Sequence, residues 1–110
     1  MSNSATTTDW ENARTPESRQ VEQLLRAHFH EVDAYRYNSA SLRVRIIDPR
    51  FNGLSHEDRD ELVEPFLAQL DHETQRDIMN LVLLYPGEPN DSFRASINNE
   101  EFEHPAKSML

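Results

Sequence analysis

Apolar residues recur at helical spacing in the first third of the chain. These positions are Val21, Leu24, Leu25 and Phe29. Thr15 precedes them as a suitable N-cap, and Pro16 suits the first helical position because its missing N–H would have no partner there. The pattern therefore predicts an amphipathic helix that begins after Thr15 and buries one stripe.

The spacing then changes to period two. Leu42, Val44 and Ile46 alternate with polar residues, and the turn-forming residues 38–41 separate this run from the run 32–37. Alternation indicates a strand with one buried face, and two such runs around a short polar loop predict a β-hairpin.

A second amphipathic helix is predicted after Ser55, which has Asp58 three positions later, as in a capping box. Its apolar stripe consists of Leu62, Val63, Phe66, Leu67 and Leu70. Pro65 lies inside this helix. At about 100 degrees per residue it faces away from the stripe, so we expect it to point to solvent while the helix bends around the core.

A nearly continuous apolar run from Ile78 to Tyr85 predicts the last strand, and Asp71 is expected to cap a short helical turn before it. A crossover that contains a helix suits parallel pairing of this strand with the hairpin. The predicted fold class is therefore α+β, in the order α-β-β-α-(short α)-β. Its three-stranded mixed sheet carries the helices on one face.

Both ends of the chain are polar and lack an apolar period. The sequence predicts a disordered arm over residues 1–14, one folded domain over residues 15–86, and an acidic, mostly disordered tail over residues 87–110. The total of 110 residues leaves no room for a two-domain enzyme.

Charge and cysteine content exclude further classes. The chain has 20 acidic side chains against 11 Lys and Arg, a formal net charge of -9, which disfavours a nucleic acid partner. Cysteine is absent, so disulfides and thiolate-held clusters cannot form within the chain, and a reducing, cytoplasmic location is expected. The longest apolar run, 81–85, is too short to span a membrane, so no membrane association is expected.

A short motif lies between the hairpin and the second helix. Phe51 and Gly53 are followed by Leu54 and Ser55, and Arg59 comes shortly before the apolar part of the helix. The motif resembles the signature of the BolA family, whose domains are similar to the class II KH fold. From their chemistry we interpret Phe51, Gly53, Ser55 and Arg59 as mainly structural: a packed ring, a turn, a cap and a partner for nearby acids. For Arg59, a family binding surface is the alternative.

The resemblance covers roughly residues 21–84 and implies partners. BolA proteins work with monothiol glutaredoxins and share an iron–sulfur cluster, held on the BolA side by a late histidine and by a cysteine or histidine in the hairpin loop. The loop 38–41 has neither residue type, and the strand 77–85 has no histidine. No cofactor is therefore predicted. The Gly-x-x-Gly loop of nucleic-acid-binding KH domains is also absent.

The titratable residues do not predict a catalytic or metal site. The histidines are His28, His30, His56, His72 and His104. His28 and His30 are two residues apart, about 200 degrees around a helix, which prevents joint metal ligation. The acids at 57–61 suit a helix start, and no nucleophile or phosphate loop accompanies them. We predict a non-enzymatic protein without a metal.

An interaction surface is predicted on the outward face of the hairpin. Tyr35, Tyr37, Arg43 and Arg45 share this face, a composition typical of interfaces, although a solvated face with cross-strand packing would also explain it. Phe102 lies among acids in the tail, as in short segments that fold onto a partner, with plain disorder as the alternative.

The sequence therefore predicts a small interaction or regulatory domain, monomeric or weakly dimeric, that binds a protein partner through its open sheet face. One alternative is KH-like binding of single-stranded nucleic acid through the hairpin Tyr and Arg residues. The other is glutaredoxin-linked iron–sulfur regulation.

Overall fold

A computed structural model describes residues 9–89 and 99–105 of the chain. The helices and strands are α1 (Pro16–Arg26), β1 (Glu31–Asn38), β2 (Ser41–Ile47), α2 (His56–Leu67), α3 (His72–Asp77) and β3 (Ile78–Leu84). Short 3-10 helices span Asp9–Ala13 and Pro49–Phe51, and residues 99–103 form a further helical turn. The predicted α+β class and element order are confirmed. None of the helices in the described ranges is long and apolar enough to cross a membrane.

The sheet has the order β1-β2-β3, with β2 in the centre. β1 pairs with β2 antiparallel and β3 pairs with β2 parallel, which confirms the predicted mixed sheet. The hairpin turn is shorter than expected and comprises residues 39–40. Two shifts in register leave an extra residue in an edge strand, Tyr37 in β1 and Met79 in β3. Such β-bulges interrupt the ladder locally and increase its twist.

Each helix begins at its predicted cap. The side-chain oxygens of Thr15, Ser55 and Asp71 accept hydrogen bonds from the backbone N–H three residues later, at 3.3, 3.2 and 2.9 Å. α2 ends at Leu67, three residues before the end of its predicted stripe. Pro65 lies inside α2 and is exposed, as expected.

The main core lies between α1, α2 and one face of the sheet. It consists of Val21, Leu25, Phe29, Val32, Ala34, Val44, Ile46, Phe51, Val63 and Leu83. Phe51 is fully buried, and its ring centroid lies 6.0 Å from that of Phe29. Gly53 follows with a φ of 84°, a conformation that glycine adopts without a steric penalty. Both residues have the structural roles that their chemistry suggested.

The opposite face of the sheet, which we call the outer face, is also covered. Trp10 of the N-terminal 3-10 helix and Phe102 of the helical turn 99–103 are buried there against Tyr35 and Val82. The structure thus differs from the expected open face, and from the expected disorder of the arm and tail, over residues 9–14 and 99–105. The burial of two large aromatic side chains and the ion pairs of Arg14 and Glu103 oppose the entropy of ordering these segments. The other residues of the arm and tail lie outside the described ranges.

Arg59 connects the start of α2 with the end of β3. Its guanidinium donates to the Leu83 carbonyl at 2.9 Å, to the Glu88 carboxylate at 2.9 Å and to the Leu54 carbonyl at 3.0 Å. It is only 5% exposed. Arg59 is therefore not part of an accessible surface. It donates hydrogen bonds to carbonyl oxygen atoms near the start of α2 and the end of β3, which would otherwise be buried without a donor.

Replacing Arg59 with alanine should destabilise the fold. The change leaves the Leu83 carbonyl without its donor and removes the cation from the Glu88 carboxylate, which keeps only the Tyr85 N–H. The expected cost is about 2–3 kcal/mol in the free energy of unfolding. Urea denaturation followed by circular dichroism measures this loss. Arg76→Ala is the matched control, because the Arg76 side chain is 74% exposed. Equal stability of the two variants would contradict the assigned role of Arg59.

Asp48 fixes the corner after β2. Its carboxylate accepts the backbone N–H groups of His30 and Arg50, both at 2.9 Å, and the Arg50 guanidinium at 3.0 Å. The hydrogen bond from the Arg50 side chain, with further help from the backbone donors, lowers the pKa of Asp48 from 3.8 to about 2 although burial opposes the shift. The ionised carboxylate therefore stabilises the folded state.

We expect Asp48→Asn to lower the free energy of unfolding by about 2 kcal/mol at neutral pH, since one pKa unit corresponds to about 1.4 kcal/mol. The wild-type advantage is complete above the unfolded pKa of 3.8 and disappears as the pH falls through the folded value of about 2. Denaturation curves of both proteins across this range test the expectation. A stability difference that does not change with pH would refute it.

Candidate functional site

The outer face takes its side chains from alternate positions of the hairpin. Tyr35 lies opposite Arg43 in the register, and Arg45 lies opposite Asp33, so all four share one side of the sheet. Tyr37, the extra residue of the β1 bulge, lies under the Arg43 guanidinium, whose carbon is 3.7 Å from the ring centroid. The sequence prediction that these Tyr and Arg residues share a face is consistent with this register.

Three aromatic rings meet at the centre of the outer face. The ring centroid of Phe102 lies 5.1 Å from that of Trp10 and 4.9 Å from that of Tyr35, with an interplanar angle of 67° to Tyr35. The Trp10 and Tyr35 centroids are 5.8 Å apart. Phe102 has no exposed surface. Its ring thus occupies a slot that the other two rings form with Val82.

Polar groups around the slot bind the backbone of the helical turn. The Tyr35 hydroxyl donates to the Phe102 carbonyl at 3.1 Å, and Arg43 Nη1 donates to the Glu101 carbonyl at 3.0 Å. These carbonyls lie near the C-terminus of the turn, where helical carbonyls lack intrahelical partners and a cation is favourable. The sheet therefore supplies the cap that this short helix lacks.

Arg45 binds the side chains of the same turn. Its guanidinium donates to Asn99 Oδ1 at 3.1 Å and to the Glu103 carboxylate, and its carbon lies 4.5 Å from the Phe102 ring centroid. Asp33 balances the charge from the hairpin side at 3.4 Å. Arg45 is 7% exposed. A cation buried to this degree needs such carboxylate partners, because an unpaired buried charge is strongly destabilising.

The segment that carries Trp10 has contacts besides those to the tail. Arg14, at the end of its segment, donates to Glu22 Oε2 at 2.8 Å and to Asp33 Oδ1 at 3.1 Å, and its guanidinium carbon is 5.0 Å from the Trp10 ring centroid. The same Glu22 oxygen accepts the Ala34 N–H at 2.9 Å. The N-terminal wall of the slot is thus tied to α1 and β1 through Arg14 and Glu22.

Burial raises the pKa of the Tyr35 phenol above its ordinary value of 10.0, although the hydrogen bond from Arg43 acts in the opposite direction. The phenol therefore remains a neutral donor for the Phe102 carbonyl over the whole physiological range.

The structure separates the sequence-predicted residues into two groups. Phe51, Gly53, Ser55 and Arg59 lie in the main core and its connections, away from the outer face. The hairpin residues and Phe102 come together, but as two sides of one internal contact rather than as two separate surfaces for partners. The sequence analysis missed Trp10 and Asp33, and it did not predict that Asn99 and Glu103 bind Arg45. The one sequence feature that could have revealed the covered face is Trp10, a single tryptophan in an otherwise polar segment.

The histidines form no site in the described parts of the chain, where no cluster of three or more His, Asp or Glu is placed to hold a metal ion. His28 stacks on Phe66 with ring centroids 4.2 Å apart. His104 is exposed, with Nε2 3.9 Å from a Glu100 carboxylate oxygen. These geometries are those of packed or solvated side chains.

No protein-family model, curated protein or solved structure matches this chain. The resemblance to the BolA family therefore rests on the motif at residues 51–59 alone and stays a prediction. The outer face has to be interpreted from its own geometry.

Phe102→Ala should undock the helical turn, because it removes the ring that fills the slot. Trp10 is the single tryptophan, so its fluorescence reports on the slot directly. We expect a red-shifted emission maximum and stronger quenching by acrylamide, while the main core keeps its circular dichroism spectrum. Glu101→Ala is the control, since the Glu101 side chain is exposed and only its carbonyl makes the contact. Unchanged Trp10 emission in Phe102→Ala would contradict the docked arrangement.

Proposed function

We propose that this chain is a non-catalytic protein-interaction domain. Its outer face binds a short helical segment of a partner protein that carries an aromatic anchor next to an acidic residue. The observation that carries the proposal is the insertion of Phe102 between Trp10 and Tyr35 while Arg45 binds Glu103. The chain's own residues 99–105 thus act as an internal example of the ligand.

The contacts support recognition of a helical segment in particular. A buried aromatic anchor with an arginine beside it is the composition of interface hot spots. The Tyr35 hydroxyl and Arg43 bind backbone carbonyls, which any sequence offers, whereas Arg45 binds the side chains of Asn99 and Glu103, which few sequences offer in this spacing. The backbone contacts therefore favour a helix end, and the slot and Arg45 select its sequence.

A partner segment would have to displace the tail. Covalent attachment makes tail docking intramolecular, so even a weak contact is occupied most of the time. The proposed domain is therefore closed at rest, and a partner binds in proportion to how often the tail leaves.

The geometry gives less support to nucleic acid binding. Asp33, which belongs to the hairpin itself, stays beside Arg45 when the tail leaves and reduces its attraction for phosphate. The net charge of -9 also opposes the approach of a phosphate backbone. We retain a cytoplasmic location as part of the proposal, because the lack of cysteine suits a reducing compartment.

Peptide binding to the full-length protein tests the proposed function. The probe is a fluorescein-labelled peptide of residues 97–105, measured by fluorescence polarisation. Phe102→Ala should bind it, because its face is vacated, whereas the wild type should bind it at least about tenfold more weakly. Adding Arg45→Ala to Phe102→Ala should weaken binding by about tenfold or more, because a charge-assisted contact to the peptide is lost.

Two controls keep this result specific. Arg76→Ala combined with Phe102→Ala removes an equal charge at an exposed position outside the face, and should bind the peptide like Phe102→Ala alone. A peptide with alanine in place of its phenylalanine should not bind. Equal binding by the variants with and without Arg45, or no binding to Phe102→Ala, would overturn the proposal.

A further inference from the structure

Side chains of the protein itself hydrogen-bond to several backbone groups at the two sheet edges. On β1, the Glu22 carboxylate accepts the Ala34 N–H at 2.9 Å, and Arg26 Nε donates to the Val32 carbonyl at 3.0 Å. On β3, Arg59 binds the Leu83 carbonyl at 2.9 Å. Covered edges cannot pair with another strand, which protects a sheet from unwanted association.

One part of the β3 edge lacks this cover. The Leu84 carbonyl accepts a hydrogen bond from Asp48 N on the side of β2, so the Leu83 carbonyl points away from β2, and by strand alternation the backbone groups of Leu81 do the same. No residue of the described ranges hydrogen-bonds to Leu81 on this side. Next to it, the bulge residue Met79 is 70% exposed. The uncovered edge is therefore short and has an apolar neighbour.

A groove runs beside this edge, between α2, α3 and β3. It has a volume of about 440 Å³, within the usual range for sites that bind small ligands or single anchoring side chains. Leu67, Ile78 and Leu81 supply its apolar surface, and Gln75 and Glu64 supply polar atoms. The groove can thus take an aliphatic side chain from a segment that lies along the edge.

The rim of the groove is acidic. Glu64 lines both the groove and an adjoining depression that it shares with Glu61, and both residues are exposed. Within the described ranges neither carboxylate takes part in an ion pair. Arg59, the one basic residue of α2 apart from its first histidine, is turned inward and buried. The helix therefore presents a single sign of charge along the groove.

We propose that this groove and the free edge at Leu81 bind an extended basic segment of a partner protein. The segment adds a short strand beside Leu81, places an aliphatic side chain in the groove, and directs lysine or arginine side chains toward Glu61 and Glu64. The bulge at Met79 limits the pairing to a few residues. This site is separate from the outer face and takes the opposite charge, so it does not depend on the proposed function above.

The charges favour this occupant over two others. A second copy of the chain would bring two acidic α2 helices together, and the net charge of -9 opposes such an approach. A nucleic acid would place its phosphates against Glu61 and Glu64. A basic peptide segment with an aliphatic side chain matches both the acidic rim and the apolar lining of the groove.

A titration of the full-length, 15N-labelled protein followed by NMR tests the proposal. The probe is a short acetylated peptide of alternating lysine and leucine. We expect saturable shifts of the Leu81 and Ala68 amide signals and affinity about fivefold weaker in the double variant Glu61→Gln with Glu64→Gln, since two exposed ion pairs are lost. The matched control, Glu31→Gln with Glu101→Gln, removes the same charge at the opposite sheet edge and on the helical turn 99–103, away from the groove, and should keep the affinity. All four residues are exposed, so the fold should persist, as the amide spectra will show.

Several outcomes would overturn the proposal. Equal weakening in both double variants would show attraction to acidic surface in general. If a glutamate–leucine peptide bound as tightly as the lysine–leucine peptide, the charges of Glu61 and Glu64 could not be the reason for binding. Shifts confined to the outer face would place the peptide elsewhere. Shifts of Leu81 on dilution of the protein without peptide would identify a second copy as the occupant.

Discussion

The pairing of β2 with a neighbour on each side is the constraint on which the other features depend. A hairpin alone would be a narrow ribbon, whereas the parallel addition of β3 places Val82 next to Arg45 and Leu83 next to Ile46. Each face of the resulting sheet is then wide enough to support a separate core. α1 and α2 cover one face, and segments from the two ends of the described chain cover the other. The position of every candidate site follows from this arrangement.

The two faces are stabilised in different ways. The core on the helix-covered face is aliphatic and aromatic, and burial of apolar surface is its main stabilising contribution. The contact between the outer face and its covering segments buries arginines, which would be unfavourable without carboxylates beside them. Asp33 and Glu103 supply these charges to Arg45, and Glu22 supplies one to Arg14. Part of the acidic surplus of the chain is therefore a local requirement of a covered basic face.

The features of the fold that could be predicted from the sequence are those set by residues close together in the chain. Thr15 and Ser55 cap helices by contacts three residues away, and the alternation at Leu42, Val44 and Ile46 sets the hairpin, so adjacent sequence contains the information. The composition of the outer face was also predictable, because strand alternation alone puts its residues together. The segments that cover this face could not be predicted. The Tyr35 hydroxyl bonds a carbonyl 67 positions later, and a single phenylalanine forms no periodic pattern that would indicate its burial. The partners of Arg59 were equally hidden, because Leu83 and Glu88 come from a distant strand end.

The position of Phe102 in the chain also orders events in time. Synthesis proceeds from the N-terminus, and domains fold as their residues become available. Trp10, the hairpin and β3 all precede Phe102, so the whole receptor slot is made before the residue that fills it. The slot exists only once β3 has joined the hairpin, because Val82 is one of its walls. Docking of Phe102 is therefore a late step of folding, which requires the completed sheet.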